Sequence, residues 1–293
     1  MSFEPDHGLF FEFVKQLRKN RGALIGLALI AMFSLIAIFA SLIAPHSPSE
    51  LFDNALRLPP AFNPAGNSKF LLGTDDVGRD MLSRLIFGAQ VSMLIGLAVV
   101  FISMTVGTIL GLISGFYGGW ADRIIMRVID IIMALPSILL AIVVVSVLGP
   151  GLKNAVIAVS IVAIPSFTRV VRASVMSEKE KEYVQASRSL GASNLRTMLK
   201  EILPNCMAPL IVQGTLGFSD GILNAAALGF LGLGAQPPTP EWGIMLSDSR
   251  AFIESSPWMV TLPGFCILLV VLSFNVFGDG LRDALDPRLK GKG

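Results

Sequence analysis

The chain has 293 residues, 53% of them hydrophobic and 15% charged, with a mean hydropathy of +0.69. A soluble domain carries about a quarter charged residues, so the solvent of this chain is largely lipid. The net charge of +2 argues against a nucleic-acid partner, and two distant cysteines, Cys206 and Cys266, exclude a disulfide framework or a cysteine-based metal centre.

In chain order, residues 1–22 form a tail in which Phe10, Phe13, Val14 and Leu17 recur at helical spacing. Lys15, Arg18 and Lys19 lie opposite, which predicts a short helix lying in the membrane interface. Residues 23–43 are apolar without a charge and predict a first membrane span, too long for a signal-peptide core. Residues 44–90 form a long outer loop, rich in Pro and Asn, that ends in LGTDDVGRDMLSRLIFGAQ. Here Thr74 is expected to cap a short helix with Asp75 and Asp76 in its first turn and a surface pair between Asp80 and Arg84. Capping and pairing account for these carboxylates more simply than a metal does, and no metal site is expected.

Residues 91–278 hold five further apolar stretches, Val91 to Gly115, Ile124 to Leu148, Asn154 to Val171, Met207 to Leu231 and Trp258 to Gly278. Pro165 interrupts the fourth span, and Arg169 and Arg172 close it. Asp130 in the third is expected to pair with Arg127 near the inner boundary. Two polar segments separate these spans: 176–205, and 232–257, where a proline run must be extended before a short helix. A tail of residues 279–293 follows. The expected fold is an all-α polytopic membrane protein with six transmembrane helices.

With six spans both termini share one side. Placing them in the cytoplasm puts seventeen lysines and arginines inside and six outside, the bias that sets topology. Trp242 and Trp258 then fall near the outer boundary, and Tyr117 and Trp120 near the inner one. Small residues recur every four positions at Ser103, Gly107, Gly111 and Gly115, and again at Gly217, Gly221, Ala225 and Gly229. Such stripes let helices approach closely in lipid, within a bundle or against a partner subunit.

Two enzymatic readings fail. Gly217-Phe-Ser219-Asp-Gly221 fits G-x-S-x-G, but His7 and His46 both lie outside the spans and no lysine lies inside one, so Ser219 lacks a base. No G-x-x-x-x-G-K-[ST] occurs, so any nucleotide hydrolysis that powers this protein belongs to another polypeptide.

The polar stretch EYVQASRSLGASNLRTMLKEILPN, Glu182 to Asn205, contrasts with everything around it. Good helix formers run to Leu190, Gly191 ends or turns that helix, a second helix resumes at Asn194, and Pro204 stops it. The expected shape is a compact cytoplasmic knuckle with small residues Ala186 and Ser187 near its turn. This stretch resembles the E-A-A-x3-G-x9-I-x-L-P motif of permease subunits of bacterial ABC importers. Ala186, Ser187, Gly191, Leu203 and Pro204 match in spacing, whereas Gln185 replaces the glutamate and Glu201 the isoleucine. Glu182, nearly one turn earlier, is the candidate substitute carboxylate. LGTDDVGRDMLSR, DIIMALPSILLAI, ALGFLGLGAQPPTPEWGIMLSD and GDGLRDALDPRLK extend the resemblance over essentially the whole chain, toward the C-type membrane subunits of the peptide-importer branch, dipeptide systems first.

The resemblance implies a type I ABC importer permease fold in a bacterial inner membrane, with no catalytic residue and no cofactor on this chain. It implies a second, homologous permease subunit of B type, two ATPase subunits (D and F type) that carry ATP and magnesium, and an extracytoplasmic peptide-binding protein. Glu182, Gln185, Ala186, Ser187, Gly191, Ala192, Leu203 and Pro204 would form the surface that couples to an ATPase. Polar residues inside spans are costly and tend to face a cavity or a partner helix. Asp220 and Asn224, one turn apart, and Asn275 are therefore candidates for the translocation path, with interhelical hydrogen bonding as the competing account. The alternatives are a sister permease for oligopeptides, nickel chelates, glutathione or antimicrobial peptides, and a stand-alone proton-coupled transporter relying on Asp130 and Asp220.

Overall fold

A computed structural model describes residues 16–17 and 20–285 of the chain; most of the expected interfacial helix lies outside that range. The architecture is a helical bundle, and among the described residues the one extended pairing is an isolated bridge between Thr74 and Asp80. Helix α1, Arg21–Ile38, starts where the Asn20 side chain accepts the Ala23 N–H, and a further turn, Ala40–Ile43, completes the first span. Helix α2, Met81–Tyr117, has 37 residues and so a length of about 55 Å, well beyond the ~30 Å of hydrocarbon. The expected short outer helix and second span are thus one rod, with no break at residue 90.

The start of α2 differs from expectation in a specific way. Asp80, not Thr74, is the cap: its carboxylate accepts the backbone N–H of Ser83 at 2.9 Å. Thr74 is used to fold the loop, accepting from Leu58 N–H and donating to the Ala55 carbonyl. The expected Asp80–Arg84 surface pair does not form. Arg84 is buried and turns to Asp75 at 3.4 Å, beside the Arg79–Asp75 pair at 2.6 Å. Once the loop folds over the end of α2, that side becomes interior, and the buried Arg84 is better compensated by the Asp75 carboxylate than by a residue occupied with capping.

The expected third span is two helices, α3 (Gly119–Met133) and α4 (Ser137–Leu148), bent by 94°. Pro136 lies at the break with extended backbone; it lacks an N–H and restricts the residue before it, which ends α3. Pro165 has no such effect. Helix α5, Leu152–Glu178, runs straight through it and carries Arg169 and Arg172 as helical residues. Pro165 is buried among packed neighbours, the setting in which membrane helices tolerate proline. The later helices are α6 (Glu182–Ser189), α7 (Met207–Phe230), α8 (Trp242–Ser249) and α9 (Trp258–Leu285), the last continuing past Gly278 into the expected tail.

The small-residue stripes serve packing inside the bundle. On α2 a side chain at Gly107 would meet the Cβ of Phe167 at 2.5 Å, at Gly111 that of Val171 at 2.7 Å, and at Gly115 that of Val175 at 2.8 Å. Both helices thus repeat every four residues along one seam, the geometry of close helix contact in lipid. On α7, Gly217 and Gly221 make room for Phe167 and Val99 in the same way.

Candidate functional site

The knuckle grows directly from the end of α5. Glu178 accepts the Lys181 ammonium and the Tyr183 hydroxyl, each at 2.6 Å, so the chain turns before α6 begins. Burial, and then the bond to Glu178, pushes the Tyr183 hydroxyl up to about 12. Helix α6 ends in a Schellman arrangement, with Gly191 N–H donating to Arg188 O at 3.0 Å and Ala192 N–H to Ser187 O at 3.1 Å. Gly191 has φ +86°, the left-handed conformation that arrangement requires.

Ser193 then caps a turn at Asn194–Arg196, and the backbone loosens into a π-helical stretch, Thr197–Ile202, before tightening over Leu203–Cys206 into α7. Pro204 supplies no N–H at this junction. The Glu201 carbonyl instead accepts Asn205 Nδ2 at 2.7 Å and the Tyr183 hydroxyl at 3.4 Å. Such π segments recur at functional joints.

The knuckle has two faces. Val184, Met198 and Ile202 are buried in a cluster with Phe116, Val175 and Leu210, and Leu203 packs against it. Arg188 stacks over the Phe116 ring at 4.6 Å. The other face presents Glu182, Gln185, Ala186 and Gly191 to solvent, with Leu190 at 89% and Leu195 at 63% exposed. These two leucines escaped the sequence reading; their signal is an apolar side chain beside a helix-ending glycine. The Gln185 amide donates to the Glu180 carbonyl, while the Glu182 carboxylate has no side-chain partner among the described residues. One of the two departures from the motif is held by a matching position: Ser187 donates to Glu201 Oε1 across the turn. Glu201 Oε2 is enclosed without a partner among the described residues.

Above the knuckle, α5 and α7 enclose a cavity of about 260 Å³ whose polar lining is Ser137, Ser166, Gln213, Asp220 and Asn224. Asn224 Nδ2 also donates to the Asp220 carbonyl at 2.8 Å. Asn275, on α9, does not line this cavity. Ser219 is buried and donates to the Val271 carbonyl at 3.2 Å, tying α7 to α9. Near the inner end Asp130 pairs with Arg169 at 2.7 Å and not with Arg127; Asp122 holds Arg172 at 2.6 and 2.7 Å. The bend between α3 and α4 brings both carboxylates against α5, which spacing along one helix could not show.

Comparison with known proteins gives a consistent result. The model of the binding-protein-dependent transport system inner membrane component matches residues 107–291, and that of the N-terminal TM domain of oligopeptide transport permease C matches residues 8–60. The chain is 56% identical to the dipeptide transport system permease protein DppC of Haemophilus influenzae, over 95% of each chain. It is 56% identical to the di/tripeptide transport system permease protein DppC of Pseudomonas aeruginosa, over 95% of this chain and 92% of that one. To the glutathione transport system permease protein GsiD of Escherichia coli it is 44% identical, over 96% and 91%. In fold it is similar to a chain of the inward-facing MetNI methionine ABC transporter, with a TM-score of 0.56 and 20% identity over 70% of this chain and 98% of that chain. The chain therefore belongs to the family of inner-membrane components of binding-protein-dependent transport systems, with the fold of a type I ABC importer permease.

Proposed function

We propose that this chain is the C-type permease of an ATP-driven dipeptide importer and forms half of its pore. Identity of 56% over 95% of the chain to dipeptide permeases, against 44% to a glutathione permease, carries the choice of substrate. A homologous permease completes the pore, a binding protein delivers peptide from outside, and two ATPase chains hold ATP and magnesium. The knuckle docks in one ATPase through Glu182, Gln185, Ala186, Ser187, Gly191 and Ala192, with Leu203 and Pro204 at its root.

Support for the docking role lies in the shape of the segment. Its apolar underside is fixed to the bundle, its outer face is free, and it passes without a loop into α7, which lines the Asp220 cavity. A push on α6 therefore reaches the path through one packed element, and packed elements shift between discrete arrangements. Glu182, in the first turn of α6, supplies the carboxylate that Gln185 lacks. Asp220 and Asn224 face the peptide within the membrane.

Gly191→Val tests the coupling. No atom lies within 4 Å of a Cβ placed there, so the cost is backbone strain of about 1–2 kcal/mol local to the turn. ATP-driven dipeptide uptake by the assembled transporter is expected to fall at least about tenfold while the bundle keeps its melting temperature. Unchanged uptake would remove the knuckle from the mechanism. Uptake by the permease pair without ATPases would overturn the ABC reading itself, and peptides of graded length would locate the substrate limit.

A further inference from the structure

A second cavity, of about 440 Å³, opens below the first along the same two helices and shares Gln213 with it. Pro209, Gln213, Gly217, Asp220 and Asn224 recur every three or four residues on α7 and so follow one face. On α5, Ser166 lines the upper cavity and Val170, one turn on, the lower. The two volumes are stations of one groove running toward the knuckle end of the bundle. Their charges are opposite. Asp220 is the acidic group of the upper station; Arg282, from the last turn of α9, is the charged group of the lower, whose walls are otherwise mostly aliphatic.

We infer that this groove carries a zwitterionic peptide in two steps, the ammonium end held at Asp220 and Asn224 and the carboxylate end then drawn to Arg282, with Gln213 at the hand-over. The inference rests on the peptide-permease reading and adds Gln213 and Arg282 as binding residues. Lengths agree with a hand-over. Gln213 and Asp220 stand about 10 Å apart along α7, and an extended dipeptide spans about 7 Å, so it reaches from one station toward the other without filling both. Charges agree as well. A carboxylate alone would retain the ammonium end, whereas conduction needs several weak sites. Arg282 attracts the leading carboxylate, which draws the peptide from Asp220 toward the inner end.

The test uses the complete transporter with its ATPases and binding protein, carrying Gln213→Cys in a Cys266→Ser background; Cys206 is buried and stays. Thiol reagents of equal size and opposite charge are compared at position 213. The anionic reagent is expected to react faster than the cationic one, by a ratio that Arg282→Gln lowers about fivefold, and peptide turnover is expected to slow both. In the unlabelled transporter Arg282→Gln is expected to cut uptake about tenfold while binding-protein-stimulated ATP hydrolysis persists, and Arg282→Lys to restore it. Labelling indifferent to reagent charge and to cargo, or full uptake by Arg282→Gln, would overturn the hand-over. Should Arg282→Gln fail to assemble, labelling beside the native Arg282 decides alone. Absence of ATP-driven peptide uptake in the unmodified transporter would instead refute the peptide-permease reading.

Discussion

The outer end of the bundle and the knuckle end use the same residue types to opposite purposes. Outside, α8 is plugged into the crossing of α2 and α7. Glu241, 2% exposed, accepts the N–H groups of Gly243 and Ile244 at 2.7 and 2.9 Å and the Ser92 hydroxyl at 3.4 Å. Trp242 is fully buried and donates its indole N–H to the Leu85 carbonyl at 3.2 Å. Gly88, Gly229 and Gly243 exist to let these groups in: a Cβ at each would lie 2.5 to 2.6 Å from Trp242, Glu241 or Ala226. At the knuckle Gly191 has open space around it and is needed only for its positive φ. Gly88, Gly229 and Gly243 serve close approach, and Gly191 serves a turn. The difference separates an end locked by packing from an end left open to solvent.

The largest effect that can break this contrast is Gly243→Val. The obstructing atoms are the backbone O, Cα and C of Ala226, at 2.5, 2.7 and 2.9 Å, which cannot swing aside. The expected loss is more than about 3 kcal/mol, read as a collapse of the melting temperature in detergent, against a bundle left intact by Gly191→Val. Equal melting of the two variants would erase the distinction between the ends.

An intermediate effect sharpens the knuckle side. Ser187→Ala leaves Glu201 enclosed with neither carboxylate oxygen bonded by its present partner, at a cost of about 1–3 kcal/mol in local stability. Adding Glu201→Ile, the residue type the motif has there, is expected to recover most of that cost. The readout is amide exchange over residues 182–205; additive losses in the double variant would show that the pair is not coupled.

The smallest effect concerns the outer end and pH. Burial raises the Glu241 carboxyl above its ordinary value near 4.5, although the bonds from Gly243, Ile244 and Ser92 pull the other way. A raised value means that the folded state binds the proton more tightly than the unfolded one. Its contribution is complete below about pH 4.5 and is lost as pH rises through the raised value. The outer end should therefore melt slightly higher in mild acid, and Glu241→Gln should flatten that slope. A slope unchanged in Glu241→Gln would assign it to another carboxylate.

How far the chain could be read depended on whether a feature is local. Apolar stretches long enough to cross lipid, the lysine and arginine bias and the spacing from Ala186 to Pro204 are properties of short windows, and they led to the architecture and the knuckle. Helix ends were read less well where the deciding contact came from afar. Asp80 and Arg84 have ideal spacing for a pair, yet the folded loop gives Arg84 to Asp75 and leaves Asp80 to cap. Asp130 is three residues from Arg127 and 39 from Arg169, and it is the bend at Pro136 that favours the distant arginine.

The residues alone carried the class of the protein, the number of apolar stretches, the expected sidedness and the glycine turn of the knuckle. These follow from transfer free energies and backbone preferences that each residue carries wherever it goes. The expected stop at Pro204 does not form: the helical run continues from Asn194 to Phe230 because a tightened turn over Leu203–Cys206 absorbs the proline. The packing of the bundle decided that α2 is one rod, that the third stretch bends by 94°, and that Asp220 and Arg282 line two cavities which both include Gln213. It also decided that Glu201, a departure from the motif, is held by Ser187 across the turn. Pairings of this kind depend on which helix faces come together, and close packing sets that over the whole bundle at once.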